Sequence, residues 1–484
     1  MYGARLFLTV GGLFMAAVLV SSFAGMVAGY DSPAWALILT AVCAGGALLA
    51  AYMLSRSLNR RIFLLVLIVL GMGARLYWIF WNDAPPSSDF LFMYNAAREA
   101  AAGRFGFASS DYYVSFPYQL GFTMYEAGVI RLFGSQAIPA LQLIGAVFSM
   151  GTALILYYTG VRLFNETCGR IAAFIYAFYL PNILMCSVLT NQHISVFLFF
   201  LGCAMLLRRR GAVMPWLLAG LTLGLGQLMR PIGIVYVAGI VLFAMLEVSK
   251  KLRESRRRKA WRQAGMLLAM IGLFFGVQWS ANAALQSAGV MQQSLSGGDK
   301  YWKFMVGLNA ETDGAWNAAD AQYANQYPFG EARHRAELLR IKERLADKPE
   351  LAALMGRKLV QMWGAADSSA FWSLDGTGHW QLERTLSRLE RPQYVVLCAF
   401  ALFAIVALWR AGMYRGPLLY ILLLLIYAGA HLVVEIQTRY RLDLLPAVIL
   451  LSSYGVWQTY AAIRRPADKR RAGSRDLPAG GLGV

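Results

Sequence analysis

Cysteine, histidine and acidic side chains are all scarce in this 484-residue chain. The five cysteines, Cys43, Cys168, Cys186, Cys203 and Cys398, lie in or at the ends of apolar runs with no paired spacing. That excludes a disulfide framework and a cysteine-based zinc motif. His334 and His379 stand far apart, without the spacing of a metal-ligand pair. Asp and Glu number 26 against 45 Lys and Arg. No internal repeat stands out, which argues against the paired halves common in transporters.

What the chain has in excess is apolar length. Apolar residues make up 58% and aromatics 13%, far beyond a soluble domain. A bilayer core needs about 20 apolar residues per helix, and windows of that length give about twelve spans. They fall at 6–28, 33–54, 61–81, 136–160, 168–189, 191–208, 214–230, 231–248, 263–285, 394–410, 416–434 and 442–463. The expected fold is therefore an all-α polytopic membrane protein. Only Arg5 precedes the first span, which reads as a retained anchor rather than a cleaved signal.

The net charge of +19 follows the same threading. With the N-terminus inside, Arg56, Arg60, Arg61, Arg162, Arg170, Arg208–Arg210, the run 250–262, Arg410, Arg415 and the tail 464–475 all reach one face. This is the positive-inside pattern. It predicts cytoplasmic termini, attraction to anionic lipid and no nucleic-acid partner. The other face is balanced: between 286 and 393, thirteen Lys and Arg meet thirteen Asp and Glu. The chain thus divides into an N-terminal hairpin (1–60), a membrane core (61–285) with a long outer loop (82–135), an outer domain (286–393), C-terminal spans (394–463) and a basic tail (464–484).

In the first outer loop, "DFLFMYNAAREAAAG" places Phe90, Met93, Ala97 and Ala101 at helical spacing, with Asp89 before them and Gly103 after. Taken alone, this makes Asp89 an N-cap and Gly103 a C-cap. The stretch 117–134, from Pro117 to Gly134, suits an interfacial helix.

This loop, with Asp89, Arg98, Glu99, Gly103 and Phe105, resembles that of the membrane-embedded GT-C glycosyltransferases. The nearest types are the family 39 protein mannosyltransferases and the lipid A aminoarabinose transferase. The likeness continues through "FYLPNILMCSVLTNQHISVFLFFL" (178–201), "LMRPIGIVY" (228–236), segments 303–320 and 348–364, and "HLVVEIQTRYRLDLLPAVILL" (431–451). It runs from about Arg61 to Ile463, and the order of the motifs is its specific part. The sequence departs from the family where Phe90 follows Asp89, where Gln192 and His193 stand in place of an acid, and where Asp443 replaces a common proline.

The resemblance implies a GT-C-like bundle and sugar transfer from a polyprenyl-phosphate donor to a glycan, lipid or protein acceptor outside a bacterial plasma membrane. Asp89 would be the catalytic carboxylate. Such a reaction needs a base for the acceptor proton and cations for the leaving phosphate, for which the arginine fork is best suited. In order of preference the outer-face candidates are Arg439, Arg441, Arg230 and Arg75. In an extended loop, Arg439 and Arg441 would point the same way. Tyr440, His431, His193, Arg98 and Glu99 are candidate supporting residues. His431 and His193 fit buried hydrogen-bonding roles or, for His431, proton carriage. Neither a cofactor nor a tightly held metal is expected, since hard oxygen ligands are few, although Asp111 and Glu126 could supply oxygens. The alternatives are a transporter or lipid flippase, or a transferase of the O-antigen-ligase type.

Overall fold

The computed structural model describes residues 2–56, 59–207, 212–413 and 415–475, with side chains from Gly3 to Arg464 within these. The basic run Arg208–Arg210 lies outside the described residues. No strand occurs among those described. Seven helices are long and apolar enough to cross a membrane, or eight if one bent pair counts as a single span. Gln192–Leu206, Met214–Met229 and Pro417–Val433 are shorter apolar helices, and a final helix runs over Leu445–Arg475. The chain is a multi-pass membrane protein.

Lipid-facing and protein-facing residues separate along each helix. Helix Arg60–Trp81 buries Phe63, Leu67, Gly71, Arg75 and Trp78, spaced three to four residues apart. Leu65, Val66, Val69 and Leu70 stay exposed, which suits a face turned to lipid, where every backbone group is already bonded within the helix. Small residues let helices approach: a Cβ on Gly169 would lie 2.5 Å from the Tyr157 carbonyl oxygen. Helices Ala137–Leu163 and Glu166–Phe178 therefore pack as a tight pair, as small residues allow between membrane helices.

Two expected boundaries are corrected. The window 168–189 is not one straight span, because Glu166–Phe178 and Leu180–Ser187 meet at 57°. Tyr179 turns extended there, and Pro181 sits in the first turn of the second piece, where no N–H is needed. The window 394–410 lies inside a longer helix, Trp380–Ala411, which keeps Pro392 in its interior. The assumed boundary at 393 therefore falls within one helix.

The connections sort to two ends. At one, Arg170 donates to the carbonyls of Leu54 and Arg56. At the other, the first loop, the segment 286–379 and the loop before the last helix touch one another. Asp299 N–H donates to Ser115 O over 3.0 Å, and Glu435 N–H to Lys303 O over 2.8 Å. The outer segment has its own small core of Trp302, Met305, Val306, Leu308, Ala324 and Ile341. It is pinned by Arg344 on Asp320 at 2.6 Å.

Candidate active site

Helix Ser88–Ala101 delivers Asp89. Its buried side, Phe90, Met93, Ala97 and Ala100, fixes it on the bundle. Gly103, at φ 75°, closes its end, with Arg104 N–H reaching back to Glu99 O over 3.0 Å. The expected capping role of Asp89 is overturned, since the N-cap is Ser87 and Asp89 lies within the first turn. Ser88 between them holds φ 50°, a left-handed conformation that costs an L-residue energy. The Asp89 carboxylate is exposed and makes no hydrogen bond or ion pair among the described residues. Arg98 and Glu99 are exposed further along the helix and make no side-chain hydrogen bond or ion pair among the described residues.

The loop before the last helix folds as a 3-10 turn, Thr438–Asp443. At three residues per turn, side chains two apart diverge, so Arg439 and Arg441 do not share a direction as an extended loop would have required. Arg439 stacks its guanidinium 4.4 Å from the Trp372 ring centroid and 5.0 Å from that of Phe90. Its Nε donates to Gln437 Oε1 at 2.7 Å, while its terminal nitrogens have no hydrogen-bond partner among the described residues. Burial, and then the charge of Arg230, depress its pKa against the opposing fields of Tyr440, Asp89 and Asp443.

Arg441 turns inward instead. It is 1% exposed and donates to Ala365 O at 2.7 Å. Its Nε lies 3.3 Å from Asp367 and its Nη2 3.2 Å from Glu390, and its guanidinium sits over the Tyr394 ring. A π-turn at Val360–Gly364 leads directly into the carbonyl that receives it. Arg75 is fully buried, bonded to Ser149 and to the carbonyls of Gly71 and Ala177, with Nη2 unpartnered. These two of the four expected phosphate ligands thus face the interior.

Arg230 remains near Arg439. Its Nε pairs with Asp443 at 3.0 Å and its Nη1 donates to Asn191 at 3.0 Å. Asp443 is completely buried and also accepts from Gln192 and Tyr427. Tyr440 lies between the two arginines, 5.2 Å from Arg230 and 6.0 Å from Arg439. His431 is a buried partner of the Tyr427 carbonyl at 2.8 Å. His193 lies 3.6 Å from the Cys186 thiol and lines a cavity of about 20 Å³ with the unbonded, fully buried Glu126. Asp111 is exposed. Among the described residues no three His, Cys, Asp or Glu side chains gather as a metal-ligand set.

Sequence reasoning missed the Lys303–Glu435 pair, at 2.5 Å. It borders the same cluster, since Tyr440 lies within electrostatic reach of Lys303, Arg439 and Arg230. Burial raises the Glu435 pKa, but Lys303, Gln437 and Arg439 outweigh it and hold the carboxyl below its usual value. Segment 303–320 carried the signal only as a motif, with no residue singled out.

Residues 122–279 match the family model described as dolichyl-phosphate-mannose-protein mannosyltransferase. That stretch is mannosyltransferase-like. It holds His193 and Arg230, while Asp89 and Arg439 lie on either side of it. The family matched is the one the sequence resembles. No curated protein matches the chain.

Among solved structures, the chain is similar to the oligosaccharyltransferase AglB from Archaeoglobus fulgidus, in complex with an inhibitory peptide and a dolichol-phosphate. Identity is 14%, coverage 88% of this chain and 53% of that one, and the TM-score 0.45. It is also similar to ArnT from Cupriavidus metallidurans bound to undecaprenyl phosphate, at 11% identity, 84% and 79% coverage and a TM-score of 0.33. The chain spans about half the length of the archaeal protein.

Proposed function

We propose that this protein is a membrane glycosyltransferase that moves a sugar from a polyprenyl-phosphate donor to an acceptor on the outer face, with both termini on the cytoplasmic side. One observation carries the reading. An unbonded, exposed carboxylate, Asp89, stands within electrostatic reach of an aromatic-boxed guanidinium, Arg439, whose terminal nitrogens are unused. The mannosyltransferase-like segment supports a sugar carried on a polyprenyl phosphate.

The acceptor oxygen forms its bond to the anomeric carbon as the bond from that carbon to the phosphate oxygen breaks. The acceptor proton passes to Asp89, which suits a base with no competing partner. Negative charge gathers on the leaving polyprenyl phosphate, where the Arg439 fork can donate two charge-assisted hydrogen bonds. Arg230, neutralised by Asp443, acts from the far side of Tyr440. Arg75 and Arg441 are assigned to the scaffold.

The test is acceptor-dependent release of polyprenyl phosphate by the purified full chain supplied with polyprenyl-phosphate-linked sugars. Asp89→Asn should lower release by roughly 10² or more, the scale of general-base contributions, at unchanged thermal stability. Retention of full transfer by that variant would remove Asp89 from the chemistry. Movement of the donor across a liposome without any transfer would favour the flippase.

A further inference from the structure

The outer segment does more than cover the bundle: it delivers a lysine to the cluster below it. Helix Trp302–Gly307 begins under the first loop, and Lys303 projects 5.6 Å from the Phe116 ring centroid. Tyr118 lies within electrostatic reach of both Lys303 and Asp89, and Tyr440 within reach of Lys303, Arg439 and Arg230. Three cations from three distant parts of the chain therefore lie within reach of Tyr440.

We propose that Lys303 is a further cation for the donor phosphate, beside Arg439 and Arg230, so that the donor site is complete only when the outer segment is docked on the loop before the last helix. This rests on the glycosyl-transfer reading above.

The alternative is a purely structural salt bridge to Glu435, and the geometry weighs against it. Docking is already secured by groups other than the Lys303 amine. Glu435 N–H bonds the Lys303 carbonyl, Ile436 N–H bonds Gly314 O at 3.0 Å, and the buried Lys358 amine donates to Val434 O at 2.8 Å. Gly307 permits the close approach, because a Cβ there would lie 2.6 Å from the Glu435 nitrogen.

The pair is also lopsided. The Lys303 side chain is 38% exposed while that of Glu435 is 2% exposed. The acid is buried while the lysine side chain keeps open surface, so the accessible member of the pair is the cation. The second Glu435 oxygen accepts from Gln437 at 3.1 Å, and Gln437 accepts from Arg439 Nε. One buried carboxylate thereby orients both cations, holding the Arg439 fork with its terminal nitrogens free.

The experiment measures binding of undecaprenyl phosphate and, in parallel, of undecaprenol, which lacks the phosphate, to the full chain in lipid nanodiscs. Wild-type protein should prefer the phosphate. Lys303→Met should weaken phosphate binding by about tenfold or more, as loss of a charge-assisted contact does. It should leave undecaprenol binding unchanged, and Lys303→Arg should retain most of the affinity. Because the Met variant also strands the buried Glu435, the double variant Lys303→Met/Glu435→Gln, which leaves no buried charge unpaired, should show the same loss of phosphate binding at a near-wild-type melting temperature. The salt dependence of phosphate binding should be shallower in the Met variant. Phosphate binding by Lys303→Met equal to wild type would overturn the inference and leave the transfer reading intact. Equal loss of both ligands with a lowered melting temperature would also overturn it, making the pair a clasp. No preference for phosphate in the wild type would bring down the donor reading itself.

Discussion

Replacing Arg439 with alanine separates the donor from the acceptor. Two hydrogen bonds from the fork to a phosphate, at about 1.5–3 kcal/mol each, amount to roughly 3–5 kcal/mol when not fully additive. At about 1.4 kcal/mol per tenfold, kcat/KM for the donor should fall by ~10² to several thousandfold. The aromatic box contributes differently. The guanidinium stacked on Trp372 and Phe90 stabilises the free protein by about 0.5–2 kcal/mol, so some loss of melting temperature accompanies the variant but does not depend on the donor. Arg439→Lys keeps the charge without the planar fork and should recover only part of the rate. The assay is steady-state transfer over a donor titration and, separately, an acceptor titration. Unchanged donor dependence with a weakened acceptor response would refute the assignment and move the phosphate to Arg230 and Lys303.

Two further outcomes test the parts that do no chemistry. Arg441→Met should cost about 3–5 kcal/mol, because it strands two buried carboxylates, Asp367 and Glu390. It should appear as lost detergent-stable yield and a lower melting temperature, and a variant that melts like wild type would return Arg441 to the candidate ligands. In the outer segment, burial and then the adjacent Asp299 push the Glu337 carboxyl up to about 9, from an ordinary 4.5. The folded state thus holds a proton that the unfolded state has released, so this stabilisation is complete below about pH 4.5 and is lost as the pH rises through about 9. Melting temperatures measured across that window should decline for wild type and flatten for Glu337→Gln. An equal decline in both would place the pH dependence elsewhere.

The membrane class was legible because apolar runs of span length are seldom stable anywhere but in a bilayer. The first-loop helix was legible from Phe90, Met93 and Ala97 on one face. Its start was not. Asp89 and Ser87 are both acceptable caps, and spacing alone cannot place the first helical residue. The polar stretch before Pro392 was invisible to an apolar window, yet it belongs to the same helix, Trp380–Ala411. Partner choice was the deeper limit. Arg439 and Arg441 look equivalent in "RYR", and their difference comes from Asp367 and Glu390, which lie 74 and 51 positions before Arg441 and are brought to it only by folding.

That difference has a physical logic. A guanidinium inside a membrane protein is tolerable when it is satisfied internally, as Arg441 is by two acids and Arg75 by hydroxyl and carbonyl oxygens. Such a group has little left to offer a ligand. Arg439 is held by aromatic faces and one amide oxygen, which orient it without saturating its donors. Arg230 and Lys303 are intermediate, each paired with one buried acid while its own side chain keeps some exposure. Two of the three cations are thereby neutralised by buried acids, and only Arg439 is buried without one. Under the proposed function, an arriving phosphate would complete the bonding of Arg439, and the acid partners of the other two would set how strongly they respond.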